Sequence, residues 1–197
     1  MKKDVILAGV GGQGVLSVSA LIGLAAMKTG LFLKQAEVHG MSQRGGEVHS
    51  HLRLSDREIA SDLIPEGKAD LILSVEPMEG LRYLPMLSRD GWLVTNTQPY
   101  VNISNYPDLD MILQEIERVP HHLAIHAEEM AKELGSTRAM NTIMLGASVP
   151  FLNIPYEKFS EAILDLFASK GKELIDLNLA ALEKGRDHAL KFTGKPA

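Results

Sequence analysis

Cysteine is absent from all 197 residues, and its absence excludes a good deal. The chain forms no disulfide, carries no thiol nucleophile and offers no thiolate to an ordinary iron–sulfur cluster. If it serves electron transfer, another polypeptide holds the electrons. Aromatic residues are scarce at 5%, so a core must rest on Leu, Ile, Val, Ala and Met. Basic runs stop at Lys2-Lys3 and the net charge is −5. A nucleic-acid backbone or an anionic membrane surface needs the clustered Lys and Arg that are lacking here. No Gly-x-Ser-x-Gly elbow occurs, which removes the Ser-His-Asp hydrolase class.

A long uninterrupted apolar run is also missing. Residues 5–27 carry no charge and follow two lysines, as a signal peptide would. Gly9, Gly11, Gly12, Gln13 and Gly14 break the run, however, and dilute its hydrophobicity below that of a membrane span. The reading is a buried strand, a turn and a buried helix, in a cytoplasmic protein.

What is present has the composition of a globular domain, 45% hydrophobic and 23% charged. Val5-Ile6-Leu7-Ala8 is a short apolar run ended by glycines, the pattern of a strand buried on both faces. Residues 15–29 read as a helix stopped by Gly30. A strand is expected within 31–38, followed by a polar, glycine-containing loop over 39–46. Residues 47–54 alternate cleanly, with Val48, Ser50, Leu52 and Leu54 on one face and Glu47, His49, His51 and Arg53 on the other. This strand is expected at a sheet edge. A turn at 56–58 leads to a short strand at Ile59-Ala60. Strands so closely spaced cannot all be parallel, because parallel neighbours need a long crossover.

Further strands are expected at 69–75, 92–97 and 123–126, and helices at 78–87, 108–118, 128–134 and 139–147. Residues 156–168 and 172–192 read as helices, so the chain turns helical from about residue 155. The expected fold is α/β: a three-layer sandwich with a mixed, largely parallel Rossmann-like sheet, a helical C-terminal segment, and one domain over residues 1–197.

Gly9-Val10-Gly11-Gly12-Gln13-Gly14 fits the dinucleotide fingerprint G-x-G-x-x-G between a strand and a helix. The first glycine permits a tight turn, the second lets backbone approach a phosphate or another chain, and the third lets helix pack on strand. The helix N-terminus then offers free amides to an anion. The plainer reading is close packing of strand against helix alone. Glu37 lies about where a ribose-binding acid belongs, which favours a free-standing NAD-binding module. Against it, the residues after Glu37 form a glycine-punctuated loop in place of a crossover helix.

That loop carries a resemblance. Glu37-Val38-His39-Gly40-Met41-Ser42-Gln43-Arg44-Gly45-Gly46, after the opening strand and glycine turn, resembles the gamma-type subunit of pyruvate and other 2-oxoacid:ferredoxin oxidoreductases. The wording from His39 to Gly46 is most similar to the indolepyruvate branch. Ala69-Asp70, Glu76-Pro77 and Asn141-Thr142-Ile143-Met144-Leu145-Gly146-Ala147 agree as well, so the likeness spans nearly the whole chain.

The resemblance implies a non-cofactor subunit, inactive alone, with no catalytic residue and no metal of its own. It assists a thiamine-dependent decarboxylation that passes electrons through iron–sulfur clusters to ferredoxin and releases an acyl-coenzyme A. Thiamine pyrophosphate, magnesium and the clusters belong on a large partner subunit, and an isolated copy can pair with itself. The sequence agrees, since it also lacks the Gly-Asp-Gly…Asn pattern of thiamine sites. The candidate ligand or interface contacts are Gly9, Gly11, Gly12, Gln13, Gly14, Ser42, Gln43, Arg44, Gly45 and Gly46. Arg44 is the first choice: flanked by glycines, its guanidinium can grip a carboxylate or phosphate bidentately. An interface role for Arg44 stands equally open.

His49 and His51 on one strand face, with His39 or Glu47, raise a metal site. No cysteine or well-spaced third ligand completes it, and a polar face toward solvent or partner is preferred. His121 and His122 read as loop residues and His188 as a helix-surface residue.

Overall fold

The computed structural model describes residues 1–39, 45–101 and 103–194. The chain runs β1 (Lys2–Val10), α1 (Val15–Met27), β2 (Phe32–His39), β3 (Glu47–Ser55), β4 (Ala69–Ser74), α2 (Pro77–Arg82), β5 (Leu87–Asn96), α3 (Leu109–Glu117), β6 (His122–Ile125), α4 (Ala127–Glu133), α5 (Met140–Leu152), α6 (Tyr156–Phe167) and α7 (Lys172–Thr193). The strands form one sheet in the order β2-β3-β1-β4-β5-β6. β3 is antiparallel to both of its neighbours, whereas β1, β4, β5 and β6 pair in parallel. The three-layer α/β sandwich with a mixed, largely parallel sheet is therefore what the chain forms.

Alternation along the strands sorts side chains to the two faces. Val5, Leu7, Leu52, Leu54, Leu71, Leu73, Leu123 and Ile125 meet α1 and α5, with α6 and α7 behind them. Ile6, Ile72 and Leu93 meet Ile112 and Ile116 of α3 on the other face. Because β1 is buried on both faces, its run is apolar without a break. α5 is enclosed nearly all round for the same reason, whereas α1 leaves Leu16, Ser17, Ala20 and Met27 exposed, and α3 and α6 keep one wet face and the 3.6-residue period that goes with it.

Several expectations need correction. β3 is not an edge strand: it inserts between β2 and β1, and β2 takes the edge. Ile59-Ala60 is not a strand, because side chains take the backbone partners a strand would need. Lys34 Nζ donates to the Ala60 carbonyl at 3.2 Å, and Arg53 donates to Ser61 and Leu63 carbonyls at 3.0 and 2.9 Å. The Ile64 amide donates to His51 Nδ1 at 3.0 Å. The helix expected over 78–87 stops at Arg82 and yields to a 3₁₀ turn holding Pro85, which has no amide to donate. β5 starts earlier than expected, at Leu87, since Gly91 lets it pass the Ala69 carbonyl; a Cβ there would sit 2.7 Å from that oxygen. α5 continues to Leu152 despite Pro150, which lies in its last turn. His122 opens β6 and is not a loop residue.

Candidate functional site at the sheet's carboxyl edge

From β1 the chain turns through α1 toward β2, and from β4 it turns through α2 toward β5. The strand order thus reverses between β1 and β4, and the crevice beyond the carboxyl ends at such a switch is the usual ligand position in an open α/β sheet. The glycine turn lies there. So do Gly45 and Gly46, because β3 runs the other way and Glu47 pairs with Val10. Glu76 after β4 and Thr97 after β5 complete this edge.

The turn is held from several sides. The Gly11 amide donates to the Gly46 carbonyl at 2.8 Å, and the Gly45 amide returns a bond to the Gly11 carbonyl at 3.3 Å. Gln13 folds back, its Oε1 accepting from the Val10 amide at 2.8 Å. Asn141, at the start of α5, donates from Nδ2 to the Gln13 carbonyl at 2.6 Å. Its buried Oδ1 has no hydrogen-bond partner. A Cβ at Gly9 would lie 2.5 Å from Val75 Cγ2. Gly9 is thus packed against Val75 and Gly14 against Asn141 of α5, and the close approach at Gly11 is made by this chain's own Gly46.

Gly12 and Gly14 both have positive φ, at 99° and 78°. They differ in surroundings. A Cβ on Gly14 would fall 2.6 Å from Asn141 Nδ2, whereas one on Gly12 meets nothing within 4 Å. Each alanine carries a left-handed backbone penalty of about 1–2 kcal/mol. Gly14→Ala adds a clash and displaces the Asn141 bond. Thermal denaturation should place Gly12→Ala a few degrees below the wild type for its backbone alone and Gly14→Ala well below Gly12→Ala; equal melting temperatures of the two variants would refute the Asn141 contact.

Beside the turn lies a half-buried polar cluster. Tyr83 donates its hydroxyl to the Glu47 carboxylate. His49 Nδ1 is 2.6 Å from the same hydroxyl and 3.4 Å from Glu47, and the His49 and Tyr83 rings stack at 4.7 Å. Since the one hydroxyl proton goes to the carboxylate, Nδ1 of a neutral His49 is the donor to Tyr83 oxygen. Arg82 binds Glu79 at 2.9 Å and reaches Glu47 at 3.8 Å. Burial pushes the Glu79 carboxyl upward, opposed by Arg82. Burial pushes the Tyr83 hydroxyl far up, and Glu47 adds to it. Glu76 is fully buried, yet its carboxylate is satisfied by the amides of Glu79 at 2.8 Å and Tyr100 at 3.3 Å and by the Tyr106 hydroxyl.

The sequence-derived candidates divide cleanly. Gly9, Gly11, Gly12, Gln13, Gly14, Gly45 and Gly46 come together at this edge. Ser42, Gln43 and Arg44 lie outside the described residues. Glu37 is separated from the glycine turn by β3, about 10 Å at two strand spacings, too far to hold a ribose at β1. His49 and His51 do share a face with rings 5.6 Å apart, but Tyr83 and the Ile64 amide occupy their Nδ1 atoms. Among the described residues no three His, Cys, Asp or Glu gather as metal ligands. His121 stacks on Trp92, and His188 sits on the α7 surface. Tyr83, Arg82 and Glu79 were not foreseen: nothing in a linear sequence links residue 83 to residue 47.

Burial lowers the pKa of His49 and His51 from the ordinary 6.5. The unfolded chain therefore takes up protons first as the medium acidifies. Stability from these groups is complete above about pH 6.5 and is lost as pH falls toward the depressed folded values. Urea denaturation should show a lower midpoint at pH 5.5 than at 7.5. His51→Asn, which can still accept from the Ile64 amide without titrating, should reduce that difference; an unchanged difference would contradict the assignment.

The fold and site define a class, an α/β subunit with a Rossmann-like glycine turn that is closed by its own second glycine loop. The chain belongs to the pyruvate ferredoxin/flavodoxin oxidoreductase family, whose description matches residues 4–188. It is 37% identical over 206 residues to the indolepyruvate oxidoreductase subunit IorB of Archaeoglobus fulgidus, covering 100% of this chain and 99% of that protein. Among solved structures it resembles the gamma subunit of keto/oxoacid ferredoxin oxidoreductase from Geobacter sulfurreducens, with TM-score 0.71, 23% identity, and 96% and 99% of the two chains covered. It also resembles part of the 2-oxoglutarate:ferredoxin oxidoreductase of Magnetococcus marinus, a structure with 2-oxoglutarate, coenzyme A and succinyl-CoA bound. There the TM-score is 0.76 at 23% identity, over 96% of this chain and 31% of that one. No described helix is long and apolar enough to cross a membrane.

Proposed function

We propose that this chain is the small subunit of a cytoplasmic, heteromeric indolepyruvate (arylpyruvate) ferredoxin oxidoreductase. It assists thiamine-dependent oxidative decarboxylation of a 2-oxoacid to an acyl-coenzyme A with reduction of ferredoxin. The observation that carries the reading is the end-to-end likeness to an indolepyruvate oxidoreductase subunit, at 37% identity. Thiamine pyrophosphate, magnesium and iron–sulfur clusters do not fit this chain's donors, which include no cysteine and no thiamine-type aspartate–asparagine motif. A large partner subunit therefore supplies them.

This chain's part is to enclose and orient. The glycine turn presents the uncapped N-terminus of α1, whose amides and dipole favour a carboxylate or phosphate. Arg44, entering from the loop that ends in Gly45-Gly46, would add a bidentate grip on the substrate, coenzyme A or the partner. Ser42 and Gln43 would donate or accept beside it. A free-standing NAD module is disfavoured by two features: Gly46 already occupies the Gly11 amide, and β3 stands between Glu37 and the turn. The reading is tested by mixing this chain with the thiamine-bearing subunit and assaying ferredoxin reduction. Tight NAD binding by the isolated chain in calorimetry would support the module instead.

A further inference from the structure

Glu47 is the first residue of β3 and directly follows Gly46, so whatever holds its carboxylate also holds the end of the second glycine loop. Two side chains hold it, the Tyr83 hydroxyl and, at 3.8 Å, Arg82, while His49 packs beside them and bonds the Tyr83 oxygen. The holders are themselves anchored. Arg82 is forked onto Glu79 at 2.9 and 3.3 Å, and Glu79 is 2% exposed. The Glu79 amide donates to the buried Glu76, which also ties down the backbone at Tyr100 and the hydroxyl of Tyr106. A connected set of contacts thus runs from the segment after β5, through the start of α2, to the glycine loop. A Gly-Gly segment has more backbone freedom to lose than any other pair. Among the described residues it makes two backbone bonds to Gly11, one of them 3.3 Å long, and such bonds are individually modest. The side-chain clamp on Glu47 supplies the further restraint.

We propose that Tyr83 and Arg82 are positioning residues that hold Glu47 and thereby fix Gly45 and Gly46 against the glycine turn at the distance its ligand requires. The ligand class is a carboxylate- or phosphate-bearing molecule at the carboxyl edge of the sheet. In its bearing on catalysis the inference rests on the function proposed above; the clamp itself does not.

Two measurements separate these layers. In the isolated chain, amide hydrogen exchange at Gly11 and Gly45 should quicken about tenfold or more in Tyr83→Phe, with β1 and β4 interior amides unchanged. Tyr83→Phe keeps the ring stacked on His49 and removes only the hydroxyl. Glu47→Gln still accepts from Tyr83 and should retain most of the protection, whereas Glu47→Ala should lose it. In the complex with the large subunit, Tyr83→Phe should raise KM for coenzyme A or the 2-oxoacid about tenfold while kcat changes less than about twofold, the signature of a weakened grip on the bound ligand.

Unchanged exchange at Gly11 and Gly45, or equal acceleration throughout the core, overturns the clamp. Local acceleration with unchanged kinetics in an active complex overturns its role in the reaction. A wild-type complex without activity overturns the proposed function, and the exchange data then still decide the clamp.

Discussion

Gly185→Val should lose more than about 3 kcal/mol of stability, since it forces a branched side chain into a contact between two backbones. At about 2–4 °C per kcal/mol for a chain of this size, the melting temperature should fall by about 6–12 °C or more. The reason is the crossing of α5 and α7. A Cβ at Gly185 would lie 2.0 Å from the Ile143 carbonyl oxygen and 2.9 Å from the Ala147 amide. Reciprocally, one at Gly146 would lie 2.1 Å from the Leu182 carbonyl. No rotamer relieves a clash at Cβ, and the opposing atoms are backbone, so the helices must part. Parting them would break the buried Thr142–Asn178 hydrogen bond at 2.6 Å and unpack Ala181 and Leu182. It would also displace Asn141, one turn before Leu145, from its bond to the glycine turn. The effect would thus reach the candidate site from the far side of the core. Differential scanning calorimetry checks it, and a melting temperature within about 2 °C of wild type would show that the helices tolerate separation.

Much of this architecture was legible because it rests on local patterns. A strand enclosed on both faces needs an unbroken apolar run, and Val5 to Ala8 provides one before the glycines. β3 shows strict alternation because one face meets α1 and the other meets polar partners. The amphipathic period of α3 and α6 betrays helices with one wet side. Strand order was not legible. The insertion of β3 between β2 and β1 depends on which edge the hairpin joins, and both faces of β3 look alike at an edge or inside. The contact of Tyr83 with Glu47 joins residues 36 apart through a shared sheet face, and no spacing rule exposes it. Gly146 and Gly185 were readable in principle, since a glycine within a helix signals close backbone approach. At the site, the glycine turn was found where the strand–turn–helix order placed it. The role first suggested for its second glycine changed, because the backbone that comes close belongs to Gly46.

The second large effect concerns dependence on a partner, and it bears directly on the central claim. Without cysteine this chain offers no thiolates to a conventional iron–sulfur cluster, and we propose that the clusters that reduce ferredoxin lie on the partner subunit. Its glycine turn lies at the carboxyl edge of the sheet, where the proposed function places a ligand, and a misplacement of about 1 Å there would cost on the order of a hundredfold in rate. Ferredoxin reduction should therefore be measured with indolepyruvate and coenzyme A for three samples: this chain, the large subunit proposed to carry thiamine, and their equimolar mixture. This chain alone should show no activity, and the mixture should be about a hundredfold or more as active as the large subunit alone. Ferredoxin reduction by this chain alone, or equal activity of the large subunit with and without it, would contradict the account.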